Sequence, residues 1–166
     1  MDIARLRADT PATRTIAHFN NAGAALPPQP VLNTVKDYLD LEASIGGYEA
    51  ADAKKDAIAD MYRAVSDMLG AKPNEIAFIE NATRAWDMAF YAIPFARGDR
   101  IITGRAEYVS NALAFLQMRD RAGIEIDLID DDEHGQIDLE KLEQAITPQT
   151  RLIALTHIPT QGGLVN

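Results

Sequence analysis

Four short apolar runs, separated by stretches of helical spacing, constrain this chain more than any other feature. They are Ile76-Ala77-Phe78-Ile79, Arg100-Ile101-Ile102-Thr103, Ile124 to Ile129 and Leu152-Ile153-Ala154-Leu155. Between them, Ala82–Tyr91, Val109–Arg121 and Asp138–Ile146 carry helical patterns; Gly123 stops the second, and Asp138 caps the third with Glu140 in its first turn. Short strands alternating with helices predict an α/β fold with parallel pairing and right-handed crossovers. In such a sheet ligands collect where the strands end at their carboxyl side. Three loops therefore matter: Glu80-Asn81-Ala82-Thr83, Gly104-Arg105-Ala106-Glu107-Tyr108, and Thr156-His157-Ile158-Pro159-Thr160-Gln161-Gly162-Gly163.

Ahead of this alternation the pattern is helical. Ile3 to Ala8 predicts a short helix ended by Pro11. Val31, Val35, Tyr38 and Leu39 recur at helical spacing until Gly46-Gly47. Ala50, Ala53, Ala57, Ile58, Met61, Val65, Met68 and Leu69 form a second stripe closed by Gly70, with Lys54, Lys55 and Asp56 on its solvated side.

Charge and composition narrow the function. At 166 residues with a net charge of −9, the chain lacks the basic footprint that nucleic acid or an anionic membrane requires. A small anion remains compatible, because a helix N-terminus binds phosphate whatever the total charge. With no Cys there is no disulfide framework, thiolate metal site or cysteine nucleophile in these residues. Met1 to Thr10 has no apolar signal core, and no apolar run reaches the roughly 18 residues of a membrane span, so a cytoplasmic protein is expected. The run Asp130-Asp131-Asp132-Glu133 reads as a solvated loop, with a metal site as the lesser alternative.

The most telling loop is His18-Phe19-Asn20-Asn21-Ala22-Gly23-Ala24-Ala25-Leu26-Pro27-Pro28, where two side-chain amides sit beside a glycine that lets backbone approach a ligand. It resembles the N-terminal signature of the class V aminotransferases, the pyridoxal-phosphate (PLP) enzymes that include cysteine desulfurases, selenocysteine lyases and isopenicillin-N-epimerase-like proteins. The later loops agree in order and spacing. Ala82-Thr83 is similar to the family's Gly-Ala-Thr phosphate turn, with Asn81 where the family often has Gly. Tyr108 follows Glu107 where the family stacks an aromatic ring, frequently His, on the pyridine. Thr160 and Gly163 align with the family's Ser-Asn-x-x-Gly strand end, whose Asn bonds the PLP phenolate oxygen; Gln161 is a competing donor.

The resemblance covers about His18 to Asn166 and implies an incomplete PLP-transferase large domain, a mostly parallel sheet with crossover helices, preceded by an N-terminal helical segment. Residues 1–47 would form that segment and 48–166 the N-terminal part of the large domain. Ala82, Thr83, Tyr108 and Thr160 would bind cofactor; Asn20, Ala22 and Gly23 would lie near the carboxylate of an amino-acid substrate. The lysine for the Schiff base and the carboxylate for the pyridinium are expected beyond Asn166, since Lys36, Lys54, Lys55, Lys72 and Lys141 match no such context. The resemblance further implies a homodimer of the full-length protein, lyase, epimerase or transaminase chemistry, and a seven-stranded sheet in which Ile76–Ile79 pairs with a strand later than Asn166. Two other readings are a non-catalytic interaction or regulatory fragment and a Rossmann-like nucleotide domain. The second would need a G-x-G-x-x-G turn that Glu80-Asn81-Ala82-Thr83 lacks.

Overall fold

A computed structural model describes residues 1–21, 23–159 and 164–166. They divide into two compact units, Met1–Phe78 and Ile79–Asn166.

The first unit is helical. Helix α1 (Ile3–Asp9) starts where Asp2 Oδ1 accepts the Arg5 N–H at 3.0 Å. Helix α2 (Gln29–Ile45) begins two residues before the predicted Val31, because Pro30 fits a first helical turn, where its missing N–H costs nothing. The single stripe expected over Ala50–Leu69 is divided into two helices, α3 (Gly47–Ala53) and α4 (Lys55–Leu69). The break is at Lys54, whose backbone (φ −109°, ψ 9°) leaves the helical region and whose N–H is shared between the carbonyls of Ala50 and Ala51. Periodicity of side chains is blind to such a fault, since the apolar residues keep nearly the same face across it. Gly70 ends α4 in the left-handed conformation (φ +66°) that a side chain disfavours.

Ile76–Ile79 does not form the predicted strand. Ile76 is extended (φ −100°, ψ 131°), yet no described residue offers the segment a ladder. An apolar run states a wish for burial, but a strand exists only where a neighbouring edge takes its N–H and C=O groups. Phe78 instead packs edge-on against Tyr62, with ring centroids 5.2 Å apart.

The second unit follows the predicted alternation: α5 (Ala82–Tyr91), β1 (Arg100–Gly104), α6 (Val109–Ala122), β2 (Glu125–Ile129), α7 (Leu139–Ala145) and β3 (Thr150–Ala154). The three strands form one parallel sheet in the order β2-β1-β3, so the chain crosses back past β1 to place β3 on its far side. Central β1 buries Ile101, Ile102 and Thr103 because both its faces are covered. Ile101 joins Phe90, Ala114, Phe115 and Ile124 on one face, and Ile102 joins Ile129 and Ile137 on the other. Trp86 stacks on Phe90 at 4.7 Å and holds α5 to this core. At the amino end of the sheet Arg100 reaches across to both Glu125 and Asp127 of β2. Gly123 (φ +72°) closes α6 as predicted.

No helix among the described residues is long and apolar enough to cross a membrane.

Candidate functional site

Because β1 pairs in parallel with both β2 and β3, the three strands end on the same edge of the sheet, and the loops that follow them start there.

Helix α5 is ten residues long and begins at Asn81, whose Oδ1 accepts the Arg84 N–H at 2.9 Å. Asn81 is thus an N-cap, and the amides ahead of Arg84, those of Ala82 and Thr83, belong to the open end of the helix. Ala82 and Thr83 are exposed. Thr83 shares a helix face with Trp86 and Phe90, three and seven residues on. A hydroxyl and first-turn amides are the donor set that a phosphate takes at a helix start.

Glu107 is the centre of the second loop. Its Oε1 accepts from the Tyr108 N–H at 2.7 Å, from Asn111 Nδ2 at 2.9 Å and from Thr156 Oγ1 at 2.7 Å. Its Oε2 accepts from Thr103 Oγ1 at 3.4 Å. One half-buried carboxylate therefore joins the end of β1, the first turn of α6 and the segment leaving β3. Tyr108 is the residue before α6 (φ −68°, ψ 136°), and its side chain remains 52% exposed, an aromatic surface open to a flat partner. Beside this hub lies a cleft of about 300 Å³ lined by Trp86, Ala89, Phe90, Ile93, Glu107, Asn111 and Leu152–Leu155. It unites α5, α6 and β3; Thr83 and Tyr108 are outside its lining.

The exit of β3 is held from a second side. Asn166 Nδ2 donates to the Thr156 carbonyl at 2.7 Å, its N–H donates to the His157 carbonyl at 2.9 Å, and its Oδ1 accepts the Ile137 N–H at 3.0 Å. Thr160, Gln161, Gly162 and Gly163 lie outside the described residues, as does Ala22. Arg105 pairs with Asp130 and holds that carboxyl below its ordinary range, first through their hydrogen bond and then through charge attraction. The rest of the acidic run makes a turn: Asp132 Oδ1 accepts the N–H groups of His134 and Gln136. The described residues contain no cluster of three or more His, Asp or Glu able to hold a metal.

In the first unit, the Asn20 carbonyl accepts the Ala24 N–H at 3.0 Å and Asn20 Oδ1 accepts the Gly23 N–H at 3.0 Å. A Cβ added to Gly23 would come 2.5 Å from Asn20 Nδ2, so a side chain there would displace the Asn20 amide that accepts the Gly23 N–H. His18 Nε2 bonds the Ala24 carbonyl at 2.8 Å and fastens the turn further.

Sequence reasoning named Glu107 only as the neighbour of Tyr108 and missed its partners. Thr103, Glu107 and Asn111 are spaced four apart, but Glu107 precedes α6, so this spacing is not that of one helix face. Thr156 is 49 residues away from Glu107, and no local spacing signals it.

A parallel sheet with crossover helices, and a carboxylate that joins hydroxyls at the ends of β1 and β3, define part of an α/β domain. The chain belongs to the class-V aminotransferase family, whose model matches residues 17–166. A probable cysteine desulfurase of Pyrococcus abyssi is 26% identical over 97% of this chain and 41% of its own length. A cysteine desulfurase from Thermococcus onnurineus, solved in its apo form, superposes with a TM-score of 0.84 at 25% identity, covering 98% of this chain and 42% of that one. A lyase structure with glycine covalently linked to its PLP cofactor superposes at 0.83 with 22% identity over 96% of this chain and 42% of that one, a likeness of fold. The chain thus spans about two fifths of the length of these relatives.

Proposed function

We propose that this chain is the N-terminal part of a PLP-dependent enzyme acting on an amino acid. The observation that carries the reading is the open end of α5, where Thr83 and the first-turn amides offer a phosphate-type donor set in a chain of this family. Bound PLP supplies an electron sink for cleaving bonds to the amino acid's α-carbon or its side chain.

In this reading the chain's own residues bind and orient. Thr83 and the amides of Ala82 and Thr83 hold the phosphate. The Tyr108 ring covers the pyridine face, and Thr160, with Gln161 as the competing donor, bonds the phenolate oxygen. Asn20, Ala22 and Gly23 lie near the substrate carboxylate. The carboxylate partner of the ring nitrogen and the covalently bonding lysine are assigned to residues outside this chain, since none of its five lysines follows a strand in a matching context. The names of the relatives make a sulfur-containing amino acid the first substrate to try.

The test is a PLP titration of the whole enzyme followed by addition of cysteine and of alanine. Stoichiometric binding, with a change in the cofactor absorbance on adding an amino acid, supports the reading. Absence of saturable PLP binding overturns it. In the isolated chain, mass spectrometry should find no stoichiometric adduct confined to a single lysine.

A further inference from the structure

The Glu107 carboxylate accepts more hydrogen bonds from more distant parts of the second unit than any ligand role of its own requires. Three of its partners are short: the Tyr108 N–H, Asn111 Nδ2 and Thr156 Oγ1, all within 2.9 Å of Oε1. Thr103 Oγ1, from buried β1, approaches Oε2 at 3.4 Å. Two of these donors fix the start of α6, on which Tyr108 stands. A third fixes Thr156, at the exit of β3, whose carbonyl is already held by Asn166. With Oε1 committed to three donors and Oε2 facing the Thr103 hydroxyl, the carboxylate is turned toward the chain's own groups.

We infer that Glu107 is a positioning residue: it locks the Tyr108 backbone and the Thr156 strand end together, so that the two loops meet the cofactor in one fixed arrangement. This rests on the proposed function for the cofactor itself, but the lock is a property of the chain without it. Charge-assisted bonds to one carboxylate are the strongest class of neutral-donor hydrogen bonds, and a shared acceptor makes the loops move as a unit. The chemistry also fixes what a substitute must supply. Glutamine retains an oxygen for Tyr108, Asn111 and Thr156, and its amide hydrogens can face the Thr103 hydroxyl, which accepts as readily as it donates. Alanine retains nothing.

The experiment compares Glu107→Gln, Glu107→Ala and Tyr108→Ala in the whole enzyme, with two readouts. The first is amide hydrogen exchange of the cofactor-free protein over residues 103–111 and 153–158. The second is the PLP dissociation constant together with the visible circular dichroism of the bound cofactor, which reports how its ring is held. Glu107→Ala should speed exchange in both segments, weaken PLP roughly tenfold or more and alter the dichroism, while Glu107→Gln stays within about threefold of the parent. Unchanged exchange in either segment of Glu107→Ala overturns the lock. Faster exchange with parental PLP affinity and dichroism reduces Glu107 to a structural brace and overturns the positioning role. If Tyr108→Ala binds PLP normally while Glu107→Ala does not, Tyr108 leaves the proposed site and the lock stands, acting through the Thr156 segment. If the parent enzyme binds no PLP at all, the proposed function fails and the positioning role with it, whereas the exchange data still judge the lock.

Discussion

Replacing Thr83 by Val isolates one atom of the proposed phosphate site. Valine has nearly the shape of threonine and a similar helix propensity, so α5 keeps its backbone. The Asn81 side chain, not Thr83, caps the Arg84 N–H, and that bond at 2.9 Å is untouched. Thr83 is exposed, so little packing is disturbed. What is lost is one hydroxyl donor to a charged oxygen, worth roughly 1.5–3 kcal/mol. At about 1.4 kcal/mol per tenfold, the PLP dissociation constant should rise about 10- to 100-fold. The assay is a fluorescence titration of the cofactor-free whole enzyme, with the melting temperature measured in parallel. Thr83→Ser keeps the hydroxyl and should bind within about threefold of the parent, given that only a methyl group is removed. A Val variant that binds PLP as tightly as the parent, with an unchanged melting temperature, would remove Thr83 from the site and refute the reasoning.

Other outcomes follow from the same geometry. Tyr108→Phe should keep most PLP affinity, because stacking uses the ring, whereas Tyr108→Ala should lose on the order of 1 kcal/mol; equal binding by both would refute the stacking role. Phe115→Ala removes a side chain only 1% exposed, packed between Phe90 and Trp86, and should cost about 3–5 kcal/mol in denaturant unfolding. Asp130, bonded by Arg105, and Asp138, which accepts the Lys141 and Glu140 N–H groups, both have carboxyls held below the ordinary value of 3.8. A folded-state value below the unfolded one stabilises the fold above pH 3.8 and is lost as pH falls through the lowered values. The double variant Asp130→Asn, Asp138→Asn should therefore lose less stability on acidification below that pH than the parent, as followed by circular dichroism; an identical acid profile would contradict the assignment.

Local signals in the sequence carried the second unit almost intact. Apolar runs specified β1, β2 and β3, with Gly98-Asp99 ahead of β1 and Gly123 ahead of β2, and α5, α6 and α7 began where Asn81, Tyr108 and Asp138 suggested. Such features are legible because period, caps and turn residues act within a few positions. The parallel sheet was legible too, since short strands joined by helices leave few other pairings. Two of the candidate loops, those after β1 and β3, were found for the same reason, being at carboxyl ends of strands, whereas Glu80-Asn81-Ala82-Thr83 follows a segment that is not a strand. Tertiary structure decided the rest. Ile76–Ile79 has the apolar run of a strand and no described neighbour to pair with, because a ladder is made by two chains of atoms and not by one. The stripe over Ala50–Leu69 hid the break at Lys54, a backbone event that leaves side-chain spacing nearly unchanged. Above all, the partnership of Glu107 with Thr156 exists only because β3 crosses to lie beside β1, bringing a hydroxyl from 49 residues away to a carboxylate that sequence alone showed as a neighbour of Tyr108.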